Sequence, residues 1–185
     1  MKKLQLSKKG TKYKGKEAIV DNDVFEIVNQ YNWTYCNAGC GYARNVKLNN
    51  YLHVYIWKLK NGEIPEGLEI EHIDGNGLNC TISNLRLANR SENCCNVGKK
   101  KNNTSGYKGI SKDGHCKKLK DGTYNEYVYW RARVGKNQRS DGKTYSATFP
   151  YTDEGLKEAI EWQKQMEKEL HKEYAFSNRP DKDKK

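Results

Sequence analysis

The stretch Glu69-Ile70-Glu71-His72-Ile73-Asp74-Gly75-Asn76-Gly77-Leu78-Asn79 gathers the side chains of this sequence best suited to chemistry. An imidazole titrates near neutral pH and can take a proton from a reacting group. Carboxylate and amide oxygens are the ligands that hard divalent cations prefer. Further along, Ile82-Ser83-Asn84-Leu85-Arg86 and Ser91-Glu92-Asn93 add two more amides and a guanidinium. Neighbours on a regular strand face opposite ways, whereas residues i and i+2 share a face. Alternation therefore sets His72 beside Asp74 and turns Glu71 away, so the carboxylate that partners His72 stays open at this point.

These groups can act together only if short elements hold them. Residues 68–73 read as a strand, Asp74-Gly75-Asn76-Gly77 as a tight loop and residues 84–88 as a second strand. Ser91 can cap a helix from Glu92 to about Gly98. Upstream, residues 17–20 read as a strand, and Asp21-Asn22-Asp23 opens a short helix over 24–30. Residues 33–35, 42–46 and 51–53 read as short aromatic strands, and 54–59 as a helix ended by Asn61-Gly62. The polar run GKKKNNTS over 98–105 is the best boundary in the chain. The expected division is 1–98, a basic linker 99–105, a second domain 106–176 and a mobile charged tail 177–185.

Composition bounds the partners. The chain has 185 residues and a formal net charge of +11, with 31% charged and 35% hydrophobic residues. The sequence pI is about 9.3. A basic balance suits a polyanion, and the charge is uneven. Residues 98–149 hold 13 Lys and Arg against four Asp and Glu, whereas 152–174 hold four Lys against seven acids. A polyanion should therefore meet the middle of the chain. No apolar run nears the roughly 20 residues of a membrane span. The basic start lacks the apolar core of a leader, so a cytoplasmic protein with no membrane partner is expected. In that reducing setting the six cysteines should stay unpaired. Cys36, Cys40, Cys94 and Cys95 could in principle hold zinc, but the double C-x-x-C pattern is absent and structural zinc is not expected.

The H-x-D-G-N pattern at His72, followed by S-N-L-R at 83–86 and Asn93, resembles the HNH endonucleases, a ββα-metal class, particularly the phage and intron homing type. The resemblance covers roughly residues 15–98. It implies a cytoplasmic, phage- or bacterium-encoded DNA endonuclease with a divalent cofactor, magnesium first and manganese second. It assigns His72 as general base, Glu71 and Asn93 as cation ligands, and Asn84 as the residue that holds the loop and orients His72. Asp74 then becomes a loop cap. The chemistry fits these types, because phosphodiester hydrolysis needs a deprotonated water and charge neutralisation at the phosphate. Three departures stand out: Glu71 where Asp is frequent, Cys80 where a second Asn is common, and His53-Val54 where the family has His-Arg. Singly, a histidine is ordinarily packed or solvated and an Asn-rich turn is just a turn; the weight rests on the set. His53 could pack or edge the site, while His115 and His171 should be exposed.

Residues 107–111, 127–134 and 144–149 read as three strands, with a long hairpin loop over 112–126, and a helix follows to about Tyr174. Trp130, Ala132 and Val134 share one strand face, suited to a helix stripe of Leu156, Ile160 and Met166, and Arg131 and Arg133 project from the other. This order resembles the sheet and helix of the plant APETALA and ethylene-response-factor DNA-binding domain over about 104–174. Arginines on such a sheet can read guanine edges, and lysines contact phosphates. Lys108, Lys112, Lys136, Arg139 and Lys143 are assigned to phosphates beside Lys99, Lys100 and Lys101 of the linker, with Arg86 and Arg90 near the cut. The expected fold class is α+β: a ββα-metal HNH domain, then a three-stranded antiparallel sheet plus one helix. Double-stranded DNA is the expected partner. A non-catalytic, sequence-specific DNA-binding regulator with a degenerate nuclease fold is the alternative, and monomer or homodimer is left open.

Overall fold

Four small antiparallel sheets and four α-helices make up the regular structure of the described residues, 1–7, 15–38, 41–96, 98–99, 102–135 and 143–176, in a computed structural model. The chain divides into two compact units, one built on residues 1–93 and the other on residues from 94 onward. No described helix is long and apolar enough to cross a membrane.

The first unit begins with β1 (Lys2–Gln5) paired antiparallel to β2 (Glu17–Val20), then α1 (Asn22–Val28). Alternation on β2 buries Ala18 and Val20, and a four-residue spacing on α1 buries Val24 and Val28. With Leu4, Leu6, Trp33, Ala43, Leu52, Ile56 and Cys80 they form one core. Each fully buried aliphatic side chain contributes about 2 kcal/mol. The Trp33 indole donates to the Val28 carbonyl at 2.8 Å, which fixes the chain leaving α1. Asp21 does not cap α1 with its side chain. Its carboxylate accepts instead from the Ile82 amide at 2.8 Å.

A three-stranded sheet, β3 (Thr34–Cys36), β4 (Tyr42–Asn45) and β5 (Asn50–Tyr51), leads into α2 (Leu52–Asn61). Residues 52 and 53 are helical, not extended as the sequence suggests, because α2 buries Leu52, His53 and Ile56 on one helical face. The unit ends with β6 (Leu68–His72) paired antiparallel to β7 (Leu85–Asn89), then α3 (Arg90–Cys95). The start of α3 is set by Asn89 rather than Ser91. The Asn89 Oδ1 accepts from the Ser91 and Glu92 amides at 2.9 and 3.0 Å, and Glu92 reaches back to the Asn89 amide at 2.8 Å. This reciprocal pair satisfies donors that a helix start leaves open.

The second unit is a sheet of order β10-β9-β8 with one helix. β8 (Ile110–Lys118) and β9 (Tyr124–Gly135) pair in continuous register, and β10 (Thr144–Pro150) pairs with the later half of β9. The long loop expected over 112–126 is therefore mostly strand, with a turn only at 119–123. Asp113-Gly114 reads as a turn signal, but Gly114 serves strand pairing: a Cβ there would lie 2.5 Å from the Tyr127 carbonyl oxygen. Helix α4 (Asp153–His171) starts where the Thr152 hydroxyl accepts from the Gly155 amide at 3.0 Å.

Ile110, Ala132 and Ala159 are the buried centre of this unit, ringed by Trp130, Phe149, Leu156, Ile160 and Trp162. The fully buried line of α4 is Gly155, Ala159, Gln163, Glu167 and His171, and not the purely apolar stripe. Glu167 and His171 each find a partner there. Glu167 pairs with Lys108 at 2.9 Å, and the His171 Nε2 lies 2.7 Å from the Gly135 carbonyl. His171, expected at the surface, is thus buried.

Candidate active site

The β6–β7 hairpin carries Glu71, His72 and Arg86, with Asn84 just before β7 and Arg90 and Asn93 on α3. Pairing is regular from Leu68 opposite Asn89 to His72 opposite Leu85. The ladder reaches the last residue of β6, so Glu71 and His72 leave it on opposite faces. Both are buried, at 3% and 5% exposure.

His72 lies among rings. Its centroid is 4.8 Å from that of His53, edge to face, and 5.9 Å from Tyr42. Tyr51 stacks on His53 at 5.7 Å. The Cys80 Sγ is 4.0 Å from the His72 Nε2. Burial pulls the His72 pKa from 6.5 down to about 4, against an upward pull from Asp74. Burial takes His53 lower still, to about 3, and the neighbouring His72 adds to that fall. At neutral pH both are neutral imidazoles.

Asn84 staples the loop that follows. Its carbonyl accepts from the Ile73 amide at 2.9 Å and its Oδ1 from the Asp74 amide at 3.1 Å. Its Nδ2 donates to the Asp74 Oδ1 at 3.0 Å and the Asn79 carbonyl at 2.8 Å. The Asp74 carboxylate also accepts from the Asn76 amide and the Asn79 side chain, each at 2.8 Å. Asp74 is thus occupied inside the loop, and the chain on either side of His72 has little freedom.

On the other face of β6, the Arg86 Nε donates to the Glu71 Oε2 at 2.7 Å from the directly opposite position. The Glu71 Oε1 is buried with no hydrogen-bond partner. A carboxylate oxygen left so carries a desolvation cost that a cation would relieve. Asn93, on α3, donates its Nδ2 to the Glu69 Oε2 at 3.1 Å. Glu69 shares the Glu71 face, and the Asn93 Oδ1 is left as the acceptor end of that amide. The Glu71 Oε1 and the Asn93 Oδ1 are oxygens of the kind that a hard cation takes. Among the described residues no three His, Cys, Asp or Glu side chains converge as a metal cage. Cys36, Cys94 and Cys95 take part in no disulfide among the described residues, and Cys40 lies outside them.

The basic residues divide. Arg90 is exposed at the start of α3. Lys99 donates to the Gly106 carbonyl at 3.1 Å. Lys143 is exposed just before β10. Lys108, expected at a phosphate, is placed otherwise: its ammonium pairs with buried Glu167, donates to the Cys95 carbonyl at 2.7 Å and lies over the Phe176 ring. Arg131 and Arg133 stand on the sheet face away from α4, and both reach Asp113, at 2.7 and 3.3 Å. Lys100, Lys101, Lys136 and Arg139 lie outside the described residues. Reasoning from sequence missed Asp113 and the Glu71–Arg86 pair. Their signal is opposite charge across a ladder, visible only once the register is known.

A family model described as HNH endonuclease matches residues 50–94, the segment from β5 into α3. Protein 3.8 of Escherichia phage T7 is 36% identical over 123 residues, covering 66% of this chain and 86% of its own. An uncharacterized HNH endonuclease of Acanthamoeba polyphaga mimivirus is 33% identical over 170 residues, 91% of this chain and 78% of the relative. No solved structure matches significantly. The matched segment holds the whole His72 hairpin and both relatives are spanned over most of their length: this chain belongs to the HNH endonuclease family.

Proposed function

We propose that the protein is a site-directed endonuclease of double-stranded DNA, of homing type. In this reading residues 1–98 cut, 99–105 link, and 106–176 form an APETALA-like sheet and helix that reads DNA. The observation that carries it is a buried, neutral His72 at the end of β6, beside a loop stapled by Asn84, with an undonated Glu71 oxygen one residue before it. His72 takes a proton from water, the resulting hydroxide attacks phosphorus, and the bond to the 3′ oxygen breaks. Glu71 and Asn93 would hold a divalent ion, magnesium by preference with manganese as substitute, which supplies positive charge at the phosphate and at the departing oxygen. Asn84 keeps the imidazole aimed. Arg86 steadies Glu71 and brings further positive charge toward the phosphate.

Arg90, Lys99, Lys100, Lys101, Lys136, Arg139 and Lys143 would neutralise phosphates, and Arg131 and Arg133 would read bases. Lys108 leaves that set, because its charge already balances Glu167. The test is plasmid cleavage with magnesium or with chelator. His72→Ala should lower cleavage at least about 100-fold with duplex binding nearly unchanged. Cleavage by that variant at the wild-type rate would end the assignment. The Glu71–Arg86 pair favours a second reading, a non-catalytic DNA-binding regulator. Duplex binding with no cutting in any divalent metal would establish it.

A further inference from the structure

The face of the second unit's sheet that turns away from α4 carries a carboxylate at its centre. Asp113 on β8 lies opposite Tyr129, two residues along β9 from Arg131, and its Oδ2 lies 2.7 Å from the Arg131 Nη1 and 3.3 Å from the Arg133 Nη2. Its Oδ1 accepts from the Gly114 amide at 2.8 Å, which locks the carboxylate to its own backbone. Arg131 is gripped from its other side as well. Its Nη2 donates to the Tyr129 hydroxyl at 2.6 Å, and its guanidinium lies over the Tyr129 ring, 5.3 Å from the centroid.

On a surface that only neutralised phosphates, this carboxylate would be a fault. It cancels one of two positive charges and repels the polyanion. Its benefit is geometric. A free arginine carries about 2 kcal/mol of rotamer entropy, lost when it docks. Held by Asp113 and Tyr129, Arg131 has already lost it, and three of its five N–H donors remain to be offered. A guanidinium held in one plane suits bidentate recognition of a guanine edge and ill suits the irregular path of a phosphate backbone.

We infer that Asp113 is a specificity-determining positioning residue, holding the Arg131 and Arg133 guanidinium groups in a fixed plane for base edges in duplex DNA. This rests on the sheet being a DNA-reading surface. It assigns Asp113 a cost in general affinity and a gain in discrimination, two effects of opposite sign. A carboxylate that merely held the sheet together would move both the same way.

The experiment uses the full chain in chelator, so that binding is read without cutting. Sequences are selected from a random duplex pool with the wild type, and affinities are measured for the selected duplex and for a random one. Asp113→Asn should bind random duplex as tightly as wild type or tighter, while preference for the selected duplex falls about tenfold. Asp113→Glu, which keeps the charge, should retain part of the preference. Arg131→Ala with Arg133→Ala should lose preference altogether. Unchanged preference in Asp113→Asn, with preference lost in the double arginine variant, overturns the inference and leaves the reading surface standing. Binding and preference both untouched in the double variant overturn the surface itself. A wild type with no preference, or an Asp113→Asn variant that loses both affinities in parallel, overturns the positioning role.

Discussion

Two buried neutral histidines side by side should make the first unit acid-labile well above the range where carboxylates titrate. Unfolded, His53 and His72 each protonate near 6.5; folded, burial holds them at about 3 and about 4. Between those values the unfolded chain binds protons that the folded chain refuses. Stability is therefore full above the unfolded value and is lost as pH falls toward the folded ones. Each group costs about 1.4 kcal/mol per pH unit below 6.5, so going from about pH 7.5 to about pH 5 should remove about 2 kcal/mol per histidine and about 4 kcal/mol for the pair. Hydrogen exchange read by mass spectrometry on the full chain can follow peptides from α2 and β6 across that range, after correction for intrinsic exchange rates. His53→Phe keeps a ring against Tyr51 and Tyr42 and deletes one proton site, so the loss should fall to about 2 kcal/mol. A wild-type loss under about 1 kcal/mol, or an undiminished loss in His53→Phe, would refute the argument that these rings are buried and uncharged.

Two further outcomes follow from the same hairpin. Arg86→Ala leaves Glu71 buried without its counterion and should cost about 3 to 5 kcal/mol of stability, whereas Glu71→Gln, which removes the charge, should cost less; urea titration of both variants checks the order, and equal costs would contradict it. Asn84→Ala removes three side-chain hydrogen bonds around His72 and should destabilise by about 2 to 4 kcal/mol, with faster amide exchange confined first to residues 73–79; protection there equal to wild type would show that the loop holds itself.

The chemistry-bearing segment was legible because its signals are local. Strand, glycine-rich loop, strand and short helix each carry their own residue types, and the hairpin over 68–95 takes that order. Alternation on β9 likewise separates Trp130, Ala132 and Val134 from Arg131 and Arg133. What escaped was set by partners distant in sequence. Residue 53 reads as strand until Leu52 and Ile56 are seen to share a core with β2 and α1. The Asp113-Gly114 pair reads as a turn until Gly114 is placed against the Tyr127 carbonyl. Lys108 and His171 read as surface residues because the groups that bury them, Glu167 and the Gly135 carbonyl, are 59 and 36 positions away. Glu71 and His72 share the hairpin but not a strand face, so the joint action on one phosphate proposed above would need their side chains to reach around the strand end.

The pins along α4 bear on how the front of this sheet can be altered. An all-aliphatic helix can slide over a sheet by a turn at small cost. Here a shift would strand the Glu167 carboxylate away from Lys108 and pull His171 off the end of β9, so the helix has one seat. With the back of the sheet keyed in this way, substitutions on its front at positions 111, 113, 131, 133, 146 and 148 act on a template that does not readjust. If this face reads DNA as proposed above, new preferences would then arise one side chain at a time, without refolding of the unit that presents them.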